Sequence, residues 1–295
     1  MKLLTINSRD ICELPEDWNE LTGKQLLQVC KAFSCCISRN DLIVHLMMIF
    51  SGLKFCGNTN PVMVDGIPHF YLKHRKCRIA LMSVEGIAYA ASPLSFLFNH
   101  EKDHLIESRL YKNKLPSFRC GFRTFYGPDH ALFNIRFSEF IRLESLYEEF
   151  MKTNKPEILD AIIAILYRVK SPKADPKSPE YGGDIRVPFN DHIVEANAKV
   201  MRGLAPKYKL AIRLFYEGCR WFIFKGSGMF KRAFSNTEGT KSQVPIFQEF
   251  MSLVNSLANG DASKMETIRQ TSLYDIFYEL EAIAVKNEKL KEENV

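Results

Sequence analysis

The stretch LAIRLFYEGCRWFIFKG, residues 210–226, is the most apolar long segment of the chain, and the predicted fold is built around it. Arg213, Glu217 and Arg220 follow one another at intervals of four and three residues, so a helix places them on one stripe. The rest of the helix surface is a broad apolar arc. The arc consists of Leu214, Phe215, Cys219, Phe222 and Ile223. Because charges interrupt a span that is short for a bilayer, we predict a central packing helix and no transmembrane segment.

Helical periodicity also marks the segments on both sides of this stretch. Ser138 is predicted to open a helix with an apolar stripe, and Pro156 to start a second helix that packs against the first as a hairpin. The segment SLYDIFYELEAIAVKNEKLKEE, residues 272–293, predicts a further helix with Ser272 as its cap and an apolar face. The second half of the chain is therefore expected to be mainly helical.

The N-terminal third mixes strand and helix signals. KLLTI, residues 2–6, predicts a strand, and Thr22 and Gln25 have the spacing of a capping box at the start of a helix. A second helix is predicted from Asn40; its residues are apolar on nearly every side, so His45 is expected to pack against the core.

Residues 62–82 are rich in strand formers, and Asp65–Gly66 fits a tight hairpin turn. Pro68 is expected at a sheet edge, because proline cannot donate a ladder hydrogen bond. Ser83 is predicted to cap the helix that follows.

Together these patterns predict a mostly helical α+β protein with about eight helices and a small antiparallel β element in the N-terminal third. An N-terminal α+β region, 1–115, would be followed by a mainly helical region, 116–295, with one continuous domain as the alternative. Residues 170–188 hold four prolines after Lys170 and are predicted to form a long exposed loop, either functional or a plain excursion.

The charge balance and the chain start bear on partners and location. The net charge is +6, with the cations spread among 34 acids, so a nucleic-acid partner is disfavoured. The nucleic-acid candidates are Arg119, Arg123, Tyr126 and Arg136, where aromatic and basic residues alternate around a predicted Gly127–Pro128 turn. The start lacks the apolar core of a secretory signal, so a cytoplasmic protein is expected. The eight cysteines form no disulfide framework and are expected to be reduced and mostly buried.

The segment NHEKDH, residues 99–104, contains the pattern H-E-x-x-H. On a continuous helix His100 and His104 would share a face and bind zinc, with Glu101 as general base. Lys102 and Asp103 fill both variable positions with charges, however, and no third ligand stands out. We therefore interpret the pattern as a coincidence and retain a zinc-dependent hydrolase as the alternative function.

Two other groups of residues are of types that bind metals or act as nucleophiles. His69 and His74 lie near Cys77, but alternating strand geometry puts odd and even positions on opposite faces, which disfavours a metal cluster. Cys35 and Cys36 with a distant histidine would need an unseen tertiary contact to form a nucleophile. The sequence therefore predicts no catalytic, cofactor-binding or metal-binding residues, and no cofactor.

Three segments carry a family resemblance. They are LPEDWNELTGKQLLQV (14–29), FYGPDHALFNIRFSEFIRLESLYEEF (125–150), and an apolar helix ending in YR followed by a Pro-rich loop and RVPFND (186–191). Together they resemble uncharacterised phage and prophage proteins of Bacteroidetes-type bacteria, from the virion structural or tail-assembly gene region. The matched residues are Phe125, Tyr126, Gly127, Pro128, Asn134 and Glu139.

The resemblance implies a structural turn that leads into a helix, and it brings no catalytic residue. It also implies a non-enzymatic role in virion or tail assembly, with other phage structural or assembly proteins as partners. The protein would then act in the bacterial host cytoplasm during assembly, or in the virion.

Overall fold

The computed structural model describes residues 1–6, 9–33, 39–56, 60–74, 80–97, 108–175, 177–178, 181–234 and 244–293. Over these residues the chain is a mostly helical α+β protein, which confirms the predicted fold class; it has ten α-helices and nine short strands. The chain divides into two compact units. They are Met1–Arg109 with Pro206–Ala211, and Leu110–Ala205 with Ile212–Val295.

The first unit combines two small antiparallel sheets with three helices. Its elements are β1 (Lys2–Ile6), β2 (Arg9–Leu14), α1 (Gly23–Phe33), α2 (Arg39–Ser51), β3 (Lys54–Phe55), β4 (Val62–Val64), β5 (Ile67–Lys73), β6 (Ala80–Ser83) and α3 (Val84–Ala91). The predicted opening strand is confirmed as β1, which pairs with β2.

Both helix caps predicted in this unit are confirmed. At α1 the Thr22 amide donates to Gln25 Oε1 at 2.9 Å and the Gln25 amide donates to Thr22 Oγ1 at 3.2 Å, which is the reciprocal capping box. At α3 the Gly86 amide donates to Ser83 Oγ at 3.0 Å. Short-range hydrogen bonds of this kind depend only on local spacing, so the sequence can predict them.

β5 is the middle strand of the larger sheet. β3 and β4 pair with one of its edges and β6 pairs with the other, all antiparallel. The turn at Asp65–Gly66 is confirmed, with positive φ angles of 51° and 78°. Pro68 lies in this middle strand instead of an edge strand. It faces only Met63 of β4, because the β6 ladder ends where His69 meets Ser83, so proline is tolerated there.

The second unit holds a small sheet and the longer helices. Its elements are β7 (Ser117–Cys120), β8 (Arg123–Tyr126), α4 (Phe137–Thr153), α5 (Pro156–Leu166), β9 (Arg168–Val169), α6 (Val194–Met201), α7 (Pro206–Trp221, in part), α8 (Ile246–Leu257), α9 (Ala262–Gln270) and α10 (Leu273–Glu293). The described residues thus form two more α-helices than the roughly eight predicted; α6 and α9 are among the shortest, with 8 and 9 residues.

The predicted helix hairpin is α4 packed against α5, and Pro156 opens α5 as expected. α4 begins at Phe137, one residue before the predicted Ser138. Aromatic rings form much of the core where α4 meets α10; the ring centroids of Phe140 and Phe277, for example, lie 5.5 Å apart in an edge-to-face arrangement.

The packing role predicted for residues 210–226 is borne out by their burial within the second unit. Leu214, Cys219 and Ile223 are at most 1% exposed. Gly218 faces the backbone of Leu110 so closely that a Cβ at this position would overlap it. Glycine is therefore required at position 218, because the helix contacts the backbone of Leu110 there.

One local prediction in the second unit is wrong, and a second holds only in part. The β7–β8 hairpin turns at Gly121 and Phe122, whereas Gly127 lies beyond β8, where a Cβ would be 2.6 Å from the Tyr167 ring. The loop 170–188 is not exposed throughout: Arg186 bridges back to Lys170 and is 2% exposed. A buried arginine in a Pro-rich loop needs a partner from distant sequence, which the loop's composition does not reveal.

Candidate functional site

The first unit contains an apolar groove of about 1000 Å³. It lies between α2, α3 and one face of the β3–β6 sheet. The residues that line it include Val44, Ile49, Phe55, Phe70 and Ile87. A volume of this size is at the upper end of what small-molecule sites reach.

α2 builds one wall of the apolar groove because the helix is apolar on nearly every side. Leu42, Leu46 and Met47 are buried in the core, whereas Val44 and Ile49 remain partly exposed and line the groove. A helix that is hydrophobic all round is normally buried all round. Here part of its apolar surface is left open.

His45 also lines this wall, and it is exposed. The prediction that it packs against the core is therefore wrong. Its neighbours on the helix are apolar, but His45 lies on the part of the helix surface that borders the open groove. Sequence periodicity alone cannot distinguish an apolar helix surface that is open from one that is covered.

α3 builds the opposite wall with small side chains. Val84, Ala88 and Ala91 follow at helical spacing and line the groove, with Val84 and Ala88 exposed. Small residues on a helix face allow a second helix to approach closely.

The sheet forms the floor of the apolar groove through two phenylalanine rings. Phe55 and Phe70 pack edge to face with their centroids 5.5 Å apart. Of the described lining residues, those that ionise are Asp41, His45 and Lys54. This arrangement can hold an apolar group with an occasional charge at its edge.

A buried ionic cluster is the second candidate, and it lies in the second unit. Arg168 and Glu139 are 4% and 2% exposed, and Arg168 Nη1 donates to Glu139 Oε2 at 2.7 Å. Arg186 Nε donates to Asp184 Oδ1 at 2.8 Å, and Arg168 Nη2 reaches Asp184 Oδ2 at 3.3 Å. The two arginines and two carboxylates thus balance in charge.

The ionic cluster also ties the chain together. Arg186 Nη1 donates to the Leu166 carbonyl at 2.7 Å, and Nη2 donates to the Asn134 carbonyl at 3.3 Å. Burial lowers the pKa of Arg168, and Glu139 opposes this effect. A cavity of about 550 Å³ borders the cluster, but these charged groups are already bonded to one another. We interpret the cluster as the anchor of loop 170–188.

A second buried network joins α4 to α7. Arg220 Nε donates to Glu144 Oε1 at 2.6 Å, and the Tyr216 hydroxyl donates to the same oxygen at 2.6 Å. The Arg220 guanidinium lies 4.5 Å from the centre of the Tyr147 ring. Burial raises the pKa of Tyr147 to about 12, so the phenol stays protonated at neutral pH. The charged stripe recognised in the sequence is thus partly buried against α4.

Glu217, on that stripe, leads to a pH prediction. Burial raises its pKa above the ordinary 4.5, although Arg213, 3.0 Å away, offsets part of the rise. The folded chain then holds this proton more tightly than the unfolded chain, so the stability that Glu217 contributes falls as pH rises from about 4.5 through the folded pKa. We expect wild type to lose stability relative to Glu217→Gln over this range, measured by urea unfolding at each pH.

The control for this prediction is Glu157→Gln, at an exposed glutamate of α5. It measures the effect of removing an exposed carboxylate under the same conditions. A Glu217→Gln difference that is constant with pH would contradict the assignment.

The zinc pattern His100, Glu101 and His104 lies outside the described residues. Cys77, Cys35 and Cys36 do as well. Within the described part of the chain, no group of three or more His, Cys, Asp or Glu side chains could hold a metal ion. His69 Nδ1 lies 2.9 Å from the carbonyl of Ile67, two residues away.

The zinc alternative has a direct test. We expect the purified full chain to contain no stoichiometric zinc by elemental analysis after dialysis without chelator. One equivalent of zinc that is lost in His100→Ala, but kept in the matched variant His192→Ala at an exposed histidine, would establish the metal site instead.

Three of the four nucleic-acid candidates, Arg119, Arg123 and Tyr126, lie on the β7–β8 hairpin, and Arg136 lies outside it. Arg119 and Arg123 are exposed on the β7–β8 hairpin, whose tip carries Phe122 at 98% exposure. Arg136 instead donates to Gln270 Oε1 at 2.6 Å, beside α4 and α9.

The residues matched to the phage proteins belong to the scaffold of the second unit. Phe125 is 2% exposed, and Gly127 packs against Tyr167. Asn134 and Glu139 contact the ionic cluster through Arg186 and Arg168. The partners Arg168 and Arg186 were missed in the sequence; the signal for them was the pair of motifs YR and RVPFND on either side of the loop.

No family model, curated protein or solved structure matches this chain. Among the described helices, none is both long enough and apolar enough to cross a membrane. Of the described cysteines, Cys30, Cys120 and Cys219 are buried, and burial raises the pKa of Cys30 to about 12. None of the five described cysteines forms a disulfide.

Proposed function

We propose that this protein is a non-enzymatic interaction protein of phage particle assembly, and that its apolar groove holds an apolar helical segment of another assembly protein. The observation that carries the proposal is the groove of about 1000 Å³, whose walls are two helices and whose floor is a sheet. Binding a helix in such a groove is an established mode of protein recognition.

The shape of the groove favours a helix over a compact small molecule. One wall is nearly continuous apolar surface on α2, and the other presents Val84, Ala88 and Ala91 at helical spacing. A helix placed between them would form a third helix of the layer that covers the sheet, and its apolar side chains at positions i, i+3, i+4 and i+7 would meet Phe55 and Phe70.

The phage context rests on the sequence resemblance. Loop 170–188 and the apolar face of α10 are two further candidates for binding a partner, but both have internal partners. Arg186 anchors the loop, and Leu273, Ile276 and Phe277 of α10 are buried in the second unit. The apolar groove is therefore the feature on which the proposed function depends.

The test blocks the groove without touching the core. Ala88 is exposed on α3, so Ala88→Arg should fill the groove and leave the fold intact. Tagged protein would be crosslinked in particle-producing cells and phage-encoded partners identified by mass spectrometry. A synthetic apolar helical segment of the identified partner would then be titrated against purified protein, and Ala88→Arg is expected to weaken binding at least about tenfold.

The matched control is Ala196→Arg, at an exposed alanine of α6 that does not line the groove. It should bind as tightly as wild type. Equal binding by wild type and Ala88→Arg would refute the groove as the binding site, and the absence of any phage-encoded partner from the crosslinked material would refute the assembly role.

A further inference from the structure

The β3–β6 sheet has a second apolar face on the side opposite the apolar groove, here called the outer face. Phe55, Phe70 and Leu72 share the inner face, because Phe55 is paired with Leu72 and alternates with Lys54. The alternate positions therefore lie on the outer face. Its large apolar residues are Val62, Val64, Ile67, Tyr71 and Leu81.

These five side chains are between 36% and 44% exposed. In an antiparallel sheet with one face in water, that face is ordinarily polar, because the alternation puts apolar residues inside and polar residues outside. The outer face breaks this pattern at five positions on three adjoining strands. A contiguous apolar surface of this kind is typical of a protein interface.

Charges stand at both ends of the outer face. Lys54 and Lys73 are directly paired at one end, and like charges opposite each other on neighbouring strands are unfavourable. At the other end lies the turn with Asp65, which joins β4 to β5. All three charged residues are exposed. One end is thus basic and the other acidic.

We propose that the outer face binds the outer face of a second copy of this chain. The two copies are related by a two-fold axis that lies in the plane between the two faces and runs perpendicular to the strands. This axis places Lys54 and Lys73 of one copy over Asp65 of the other, at both ends of the contact. An axis parallel to the strands would stack lysines on lysines. The charge pattern therefore selects one orientation and identifies the occupant as a second copy.

The size of the outer face sets the strength of the contact. β5 has 7 residues. With the 2, 3 and 4 residues of β3, β4 and β6, at about 3.3 Å per residue and about 4.8 Å between strands, the sheet covers roughly 250 Å² in projection per copy. This is well below the roughly 800 Å² per partner of a standard specific interface, so the dimer is weak and reversible. The apolar groove, on the other side of the sheet, stays open in it.

Sedimentation equilibrium of the full chain over a range of concentrations tests the dimer. Leu81→Lys puts a charge into the outer face opposite Tyr71 and is expected to weaken association at least about tenfold. Leu290→Lys is the matched control, since Leu290 on α10 is 46% exposed against 44% for Leu81. Leu290→Lys should dimerise as wild type does.

A charge exchange tests the orientation and does not depend on Leu81. The variant Lys54→Glu with Lys73→Glu is acidic at both ends and should not self-associate. Asp65→Lys is basic at both ends and is weakened on its own. Mixed together, the two variants should associate at least about tenfold more tightly than the acidic variant does alone, because each acidic end then meets a basic one.

A wild-type chain that is monomeric up to about a millimolar concentration would overturn the proposal, as would undiminished dimerisation of Leu81→Lys. Mixed variants that associate no better than the acidic variant alone would overturn the orientation. Ala88→Arg should dimerise normally, so failure of the groove and failure of the outer face give different results.

Discussion

Gly218→Ala is expected to lower the free energy of unfolding by about 3 kcal/mol or more. Elsewhere in a helix the same change is stabilising by about 1 kcal/mol, because alanine is the better helix former. At Gly218 a Cβ would overlap the nitrogen, carbonyl carbon and oxygen of Leu110. Backbone atoms cannot rotate away as a side chain can, so α7 or the chain at Leu110 must move, and contacts of buried neighbours such as Phe215 would be lost.

The measurement is urea unfolding followed by circular dichroism, with Gly203→Ala as the control. A Cβ at Gly203 would meet only the Val200 carbonyl oxygen, at an ordinary 3.7 Å, so this variant should remain within about 0.5 kcal/mol of wild type. If Gly218→Ala unfolded at the same urea concentration as wild type, the close packing of α7 on Leu110 would be refuted.

Arg168→Met is expected to lower the free energy of unfolding by about 3–5 kcal/mol. The variant keeps most of the side-chain length but leaves Glu139, 2% exposed, without its 2.7 Å partner. The nearest remaining cation is Arg186, whose Nη2 lies 4.0 Å from Glu139 Oε2. An unpaired buried carboxylate must either stay charged at high cost or take up a proton.

The double variant Glu139→Gln with Arg168→Met separates charge imbalance from lost packing. It leaves Asp184 and Arg186 as a balanced pair, so we expect it to be more stable than Arg168→Met alone by at least about 1 kcal/mol. Arg119→Met, at an exposed arginine of β7, is the control and should cost less than about 0.5 kcal/mol. A double variant whose loss equals the sum of both single losses would contradict the coupling.

The sequence predicted those parts of the fold whose causes lie within a few residues. The capping box of Thr22 and Gln25, the cap at Ser83, the turn at Asp65–Gly66 and the start of α5 at Pro156 were all predicted and are all observed. Each depends on one or two hydrogen bonds or φ angles that local chemistry dictates. The mostly helical α+β class follows from the same local patterns.

The candidate sites were beyond the same reasoning. The ionic cluster joins Glu139 of α4 to Arg168 and Arg186, 29 and 47 positions later, and composition alone made Arg186 look like part of an exposed loop. His45 was expected in the core because its helix is apolar all round, yet it is exposed where that helix borders the groove. In both cases the outcome depends on the contacts that the side chain makes with residues distant in the sequence.

The sequence by itself shows that α2 and the strands β3–β6 are rich in apolar residues. Which of those residues meet the protein's own core and which are left open depended on the packing of α3 over one side of the sheet. Hydrophobic burial is non-directional. An apolar pattern therefore determines how much surface must be covered, but the element that covers it is determined by the tertiary structure. The apolar groove and the outer face of the sheet are the surfaces that the fold left uncovered.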